Sequence, residues 1–94
     1  MRGLRISYEI AALIRGLHPD LRRKVKGSLR TILNDPYCGK ALREELAGLR
    51  SLRVSRFRII YRVGQAEEIE IVALGPRERI YEETFRIIRK ERAK

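Results

Sequence analysis

Apolar residues recur along this chain in two rhythms, a helical one in the first third and a strand-like one in the second half. Gly3 to Tyr8 opens with alternation, Leu4 and Ile6 against Arg5 and Ser7, which predicts a short first strand. Ile10, Leu13, Ile14 and Leu17 follow at i, i+3, i+4, i+7 spacing, the single apolar stripe of an amphipathic helix that Ser7 is placed to cap. Gly16-Leu17-His18-Pro19 interrupts the stripe, and Pro19 suits the first turn of a second helix, where its missing donor costs nothing. The second helix buries Leu21, Val25, Leu29, Ile32 and Leu33. Its other sides carry Arg22, Arg23, Lys24, Lys26 and Arg30, and Asn34-Asp35-Pro36 ends it. The two helices are expected to form a hairpin.

From Ser51 the period drops to two. Strands are predicted at about Ser51–Ser55, Phe57–Val63 and Ile69–Gly75, with Gly64 to Glu68 as a hairpin loop between the last two. Phe57, Ile59, Tyr61 and Val63 share one face of the middle strand, and Arg58, Ile60 and Arg62 the other. The last strand sets Ile69, Ile71 and Ala73 against Glu70, Val72 and Leu74. Residues 37–48 mix both patterns and read as a turn of helix or an irregular edge. A tail helix runs from about Ile80 to Arg92, with Tyr81, Thr84, Phe85 and Ile88 among its apolar positions. The order β-α-α-β-β-β-α predicts an α+β domain, an antiparallel meander with the helix hairpin on one face and a C-terminal helix. Phe57, Ile59 and Tyr61 should face the hairpin, which leaves the opposite sheet face open and lined by arginines.

At 94 residues the chain is read as one domain, 1–94, with a single modest core. Charge changes the picture more than size does. Twenty-two lysines and arginines against 12 acidic residues give +10, which calls for an anionic partner, nucleic acid first and an acidic protein second. The lone Cys38 cannot form an internal disulfide and points to a reducing, cytoplasmic setting. No apolar run reaches membrane-spanning length, and no signal-peptide pattern opens the chain. No His, Cys and acid cluster has ligand spacing and no glycine-rich phosphate loop occurs, so neither metal nor cofactor is expected. His18, ahead of a proline at a helix start, reads as a cap or surface residue.

Arginine binds phosphate through a planar fork that stays charged. Arg58 on the middle strand and Arg77 at the end of the last can converge across adjacent strands, with Arg53 beside them and Tyr81 close behind. Arg50, Arg53, Arg56, Arg62 and Arg79 are the further candidates for holding RNA. RNA is cut when its own 2′-hydroxyl attacks the neighbouring phosphate, a step that needs alignment, proton transfer and stabilisation of a dianionic phosphorane. Guanidinium groups and a phenol meet those needs. The same residues also fit a plainer pattern: alternating arginines are ordinary on a half-exposed strand, and Tyr81 can simply pack on Phe85.

Two segments go further. Leu46-Ala47-Gly48-Leu49 leading to Arg53-Val54-Ser55-Arg56-Phe57-Arg58-Ile59-Ile60-Tyr61-Arg62-Val63, and Ile71-Val72-Ala73-Leu74-Gly75-Pro76-Arg77 followed by Ile80-Tyr81, resemble the RelE/ParE toxins of type II toxin–antitoxin systems, on the RelE side. The early His18-Pro19-Asp20-Leu21 and Asp35-Pro36 fit as well. The resemblance implies a toxin that blocks translation by cutting mRNA in the ribosomal A site. It matches Arg58 to an arginine that binds or activates the reacting nucleotide, Arg77 to the one that stabilises the transition state, and Tyr81 to a tyrosine that stacks or transfers a proton. Where that pattern has two lysines this chain has Leu49 and Ser51, neither able to act as a base, and Tyr81 lies two residues nearer Arg77. ParE-type relatives share the fold but poison DNA gyrase, and their helix hairpin is usually longer. A toxin that has lost its activity would bind only its antitoxin. The implied partners are a cognate antitoxin with an acidic, extended or helical segment, the ribosome and mRNA, and operator DNA through the antitoxin complex.

Overall fold

The computed structural model describes residues 3–93, so residues 1, 2 and 94 of the expected domain lie outside it. Within the described residues the order is β1 (Leu4–Ile6), α1 (Tyr8–Arg15), α2 (Pro19–Asn34), β2 (Lys40–Ala41), β3 (Arg50–Val54), β4 (Phe57–Val63), β5 (Ile69–Pro76) and α3 (Arg77–Arg92). Short 3-10 turns occupy Glu44–Leu46 and Gln65–Glu67. The strands form one sheet in the order β1-β5-β4-β3-β2. Neighbours from β2 to β5 are antiparallel, whereas β1 runs parallel to β5, so the sheet is mixed rather than a pure meander. A parallel pair needs a crossover, and everything from α1 to β4 lies between its two strands.

The helix starts follow the capping logic. Ser7 Oγ accepts from the Ile10 amide at 3.2 Å, and His18 Nδ1 accepts from the Asp20 amide at 3.2 Å, with Pro19 as the first residue of α2. Ile14, Val25, Leu29 and Ile32 then bury against Val54, Ile59, Tyr61, Ile69, Ile71 and Leu74, with Phe57 and Val63 packed at the margin. Phe57, Ile59 and Tyr61 face the helix pair as their alternation requires. Leu13 does not join them and stays 44% exposed, because α1 has only eight residues and turns Ile14 inward instead.

Three further expectations are corrected. The opposite sheet face is not open: α3 lies on it, and Ile80 and Ile88 close a second cluster with Leu49, Ile60, Val72 and Ala73. Thr84 is buried in the same stripe and donates its hydroxyl to Ile80 O at 2.6 Å. Each fully buried isoleucine contributes roughly 1.5–3 kcal/mol, and Ile59 and Ile60 spend theirs on opposite faces of β4. Second, α3 starts at Arg77, not near Ile80, because β5 runs on to Pro76, which serves as the N-cap. Third, β5 carries a bulge. Tyr61 pairs with Ile71 and Ile60 with Ala73, so Val72 has no partner opposite it. Val72 and Ala73 both turn toward α3, and Leu74, not Ala73, shares the face of Ile69 and Ile71.

Tyr61 shows how the ambiguous 37–48 segment is held. Its buried hydroxyl donates to Pro36 O at 2.8 Å and accepts from the Gly39 amide at 2.9 Å. Burial raises this phenol above its ordinary value, which keeps it a neutral donor. Downstream, Lys40–Ala41 pairs with β3 as a short edge strand.

Candidate functional site

The alternation of β4 sends Arg58 to the α3 side, where register sets it between Arg53 on β3 and Gly75 on β5. Gly75 matters here because a Cβ would lie 3.2 Å from Ile80 Cδ1; its absence lets the first turn of α3 rest on the sheet. That closeness brings Tyr81 over Arg58, with the guanidinium carbon 5.9 Å from the ring centroid. Ser51 ties the two together. It is only 2% exposed; its Oγ accepts from Arg58 Nη1 at 3.0 Å and lies 3.2 Å from the Tyr81 hydroxyl. Arg58 Nε is buried without a hydrogen-bond partner, the single such side-chain atom among the described residues. A buried unmet donor costs about 1–3 kcal/mol, so the fold keeps this guanidinium here at some expense in stability.

Arg77 lies at the same end of the sheet. Its amide donates to Arg56 O at 2.9 Å, which fastens the start of α3 to the two-residue β3–β4 turn, where Ser55 takes a φ of 58°. The side chains of Arg56, Arg77 and Arg79 are exposed, and none makes a hydrogen bond or ion pair among the described residues. Pro76 supplies no capping side chain, so the positive end of α3 and the amides after Arg77 share this rim with the arginines. Arg53 is also exposed and donates through Nε to Ser55 O at 3.3 Å. Arg58, Tyr81 and Ser51 are thus in contact. Arg77 stands apart from them, on the helix start instead of the strand end.

Two further candidates are engaged inside the fold. Arg50 donates from Nε to Gly39 O and from Nη2 to Tyr37 O, both at 3.0 Å, and stacks at 5.3 Å over the Tyr37 ring. It braces the same loop that Tyr61 anchors from below. Arg62 meets Glu70 on β5 at 2.7 Å and Glu91 in the last turn of α3 at 3.2 Å, so it clamps the helix end to the sheet. Sequence reasoning passed over Ser51 as a bonding partner. The available signal was its period-two relation to Arg53, which puts both on the face of Arg58. Cys38 is exposed, with Sγ 3.9 Å from the Tyr61 hydroxyl. No group of His, Cys, Asp and Glu among the described residues could hold a metal ion, and no helix there is long and apolar enough to cross a membrane.

The Arg62 clamp has a pH signature. The Arg62 hydrogen bond, opposed by partial burial, holds the Glu70 carboxyl below its usual value. A depressed carboxyl stabilises the fold above its unfolded pKa of about 4.3, and that support drains away as pH falls through the lower folded value. Wild-type melting temperature should therefore drop on acidification below about pH 4.3 more steeply than that of Glu70→Gln. Parallel curves for the two proteins would remove Glu70 from the clamp.

Residues 4–81 match the family model described as ParE toxin of type II toxin-antitoxin system, parDE. No curated protein sequence matches the chain. Solved structures do. The RelBE2 toxin–antitoxin complex of Mycobacterium tuberculosis shares 25% identity, covers 81% of this chain and 98% of its own, and gives a TM-score of 0.68. A double-arginine mutant of Escherichia coli toxin RelE in the free state shares 21% identity over 96% of each chain, TM-score 0.73. The archaeal RelE–RelB complex from Pyrococcus horikoshii OT3 shares 21% over 83% of this chain and 97% of its own, TM-score 0.68. The last two are likenesses of fold.

Proposed function

We propose, from the premise that this chain belongs to the RelE/ParE family of type II toxin–antitoxin toxins, that it stops translation by cutting mRNA on the ribosome. The observation that carries this reading is the contact of Arg58, Ser51 and Tyr81 on a rigid sheet face, with the uncommitted Arg77 at the same sheet end. In the proposed step the 2′-oxygen of one nucleotide forms a bond to the adjacent phosphorus and the 5′-oxygen of the next departs. The products are a 2′,3′-cyclic phosphate and a free 5′-hydroxyl. Arg58 grips the phosphate with the donors it has left. Arg77 meets the charge that grows on the phosphorane. Tyr81 stacks on a base or passes the proton. Leu49 and Ser51, at the family's lysine positions, are both buried, which leaves the phenol as the proton-transfer group in contact with Arg58.

That same absence of lysine, with a family model described for ParE, favours a second reading: a toxin that acts by binding, with DNA gyrase as the ParE-type target. In either case the basic surface suits an acidic segment of a cognate antitoxin, an expectation supported by matched structures that are toxin–antitoxin complexes, and operator DNA is reached through that complex. Both readings place the protein in the cytoplasm. Induction in cells, with 5′ ends mapped on translated mRNAs and gyrase-linked DNA breaks assayed alongside, separates them. New 5′ ends that need ribosomes are expected. DNA breaks without mRNA cuts would transfer the assignment to gyrase.

A further inference from the structure

The side of the β3–β4 turn facing away from α3 holds a cleft of about 430 Å³ between that turn and the start of α2. This size falls within the range of small-ligand sites. Lys24, Ser55 and Arg56 line it with His18, Asp20, Leu21 and Phe57. Its charges are uncommitted. Lys24 and Arg56 are exposed and form no ion pair among the described residues, whereas the Asp20 carboxylate, which also lines the cleft, is matched by Arg23 at 2.8 Å. His18 spends Nδ1 as an acceptor for the Asp20 amide, so in the neutral ring the proton sits on Nε2, which is left to donate outward. Phe57 and Leu21 are half-buried and give one wall an apolar, partly aromatic character. The turn that carries Arg56 is also the one that fastens α3, since the Arg56 carbonyl receives the Arg77 amide at 2.9 Å. Cations without an ion pair among the described residues thus occur at the start of α3 (Arg77), in the β3–β4 turn (Arg56) and on α2 (Lys24).

We infer that this cleft is a second RNA subsite, which holds a nucleotide flanking the cleaved linkage: its phosphate on Lys24 and Arg56, its base against Phe57. The inference rests on reading the chain as an RNA-cutting toxin. A planar base beside a phosphate matches one apolar wall and one cationic wall, the arrangement by which single strands are held without sequence readout. An acidic peptide would use the cations and leave the aromatic wall idle.

The test uses the full chain and a 2′-O-methyl RNA oligonucleotide, which lacks the attacking hydroxyl and so remains intact while binding is measured. Lys24→Ala and Arg56→Ala, each checked for fold by circular dichroism, should weaken binding several-fold and lower the salt slope by about 0.7 per lost phosphate contact. Lys26→Ala removes an equal charge about 200° around α2, so slope and affinity should stay nearer wild type. Equal losses for Lys24→Ala and Lys26→Ala would reduce the cleft to bulk charge and overturn the subsite. Wild-type binding that falls with Arg77→Ala but not with either cleft variant would overturn it while leaving the RNA reading standing. A wild-type chain that binds an acidic peptide through Lys24, and no RNA, would end both.

Discussion

If the chain cuts mRNA as proposed, Arg77→Ala is expected to lower cleavage of ribosome-bound mRNA by about 10²–10³-fold, the usual loss when one donor to transition-state charge is removed. The structure makes this variant informative, because the Arg77 side chain makes no hydrogen bond or ion pair among the described residues. Its tie to the fold is the main-chain bond to Arg56, which alanine keeps. Arg58→Ala is the less clean experiment. It should cost less activity than Arg77→Ala, yet it strips Ser51 of a donor and Tyr81 of its stacked cation, so folding and chemistry fall together. The readout is mRNA cleavage alongside a thermal melt for each variant. A well-folded Arg77→Ala protein that still cuts at the wild-type rate would move the reading to the non-nuclease alternative.

The largest expected stability effect comes from a residue outside the Arg58–Tyr81 contact. Gly39→Ala destabilises the chain by roughly 1–3 kcal/mol, the usual cost of forcing a methyl into a packed site. A Cβ there would sit 2.6 Å from the Tyr61 hydroxyl, 2.9 Å from Cε1 of the same ring and 3.0 Å from the Ser51 carbonyl. Neither the buried ring nor a carbonyl of β3 can give way cheaply. Movement of the loop instead would break the Gly39 amide bond to Tyr61 and the carbonyl bond from Arg50. Tyr61→Phe alone should also destabilise, since Pro36 O and the Gly39 amide lose their partner. The two changes should combine with less than the sum of their costs, because removing the hydroxyl relieves part of the clash. Urea unfolding of the four proteins checks this. Wild-type stability for Gly39→Ala would mean that the loop is not held as described.

The elements with long, clean periods were legible in the chain. The Leu21 to Leu33 stripe, the Phe57 to Val63 alternation and the caps at Ser7 and His18 each rest on local chemistry that tertiary contacts reinforce. What escaped depended on contacts distant in sequence. The place of α3 follows from an apolar pocket assembled by Leu49, Ile60, Val72 and Ala73, which no local window displays. Lys40–Ala41 becomes a strand only because β3 offers it an edge. For the candidate site, the strand pattern grouped Arg53, Arg58, Arg77 and Tyr81, and the resemblance assigned roles to Arg58, Arg77 and Tyr81. The different situations of Arg50 and Arg62 were invisible, since an arginine bound to Glu70 and Glu91 looks in sequence like one free for solvent.

The bulge at Val72 bears on how this family tolerates changes of length. Ile71 faces the helix pair, Ala73 faces α3, and each side of the bulge is in step with β4. If Val72 were removed, Ile71 and Ala73 would become adjacent and still alternate correctly, so Leu74 and Gly75 would keep their faces. One residue lost or gained elsewhere in β5 would instead turn Gly75 away from Ile80 and carry the start of α3 with it. Val72 is therefore the position in this strand where an insertion or deletion can be inherited without disturbing the arginine rim. An alignment of relatives should open its gap there.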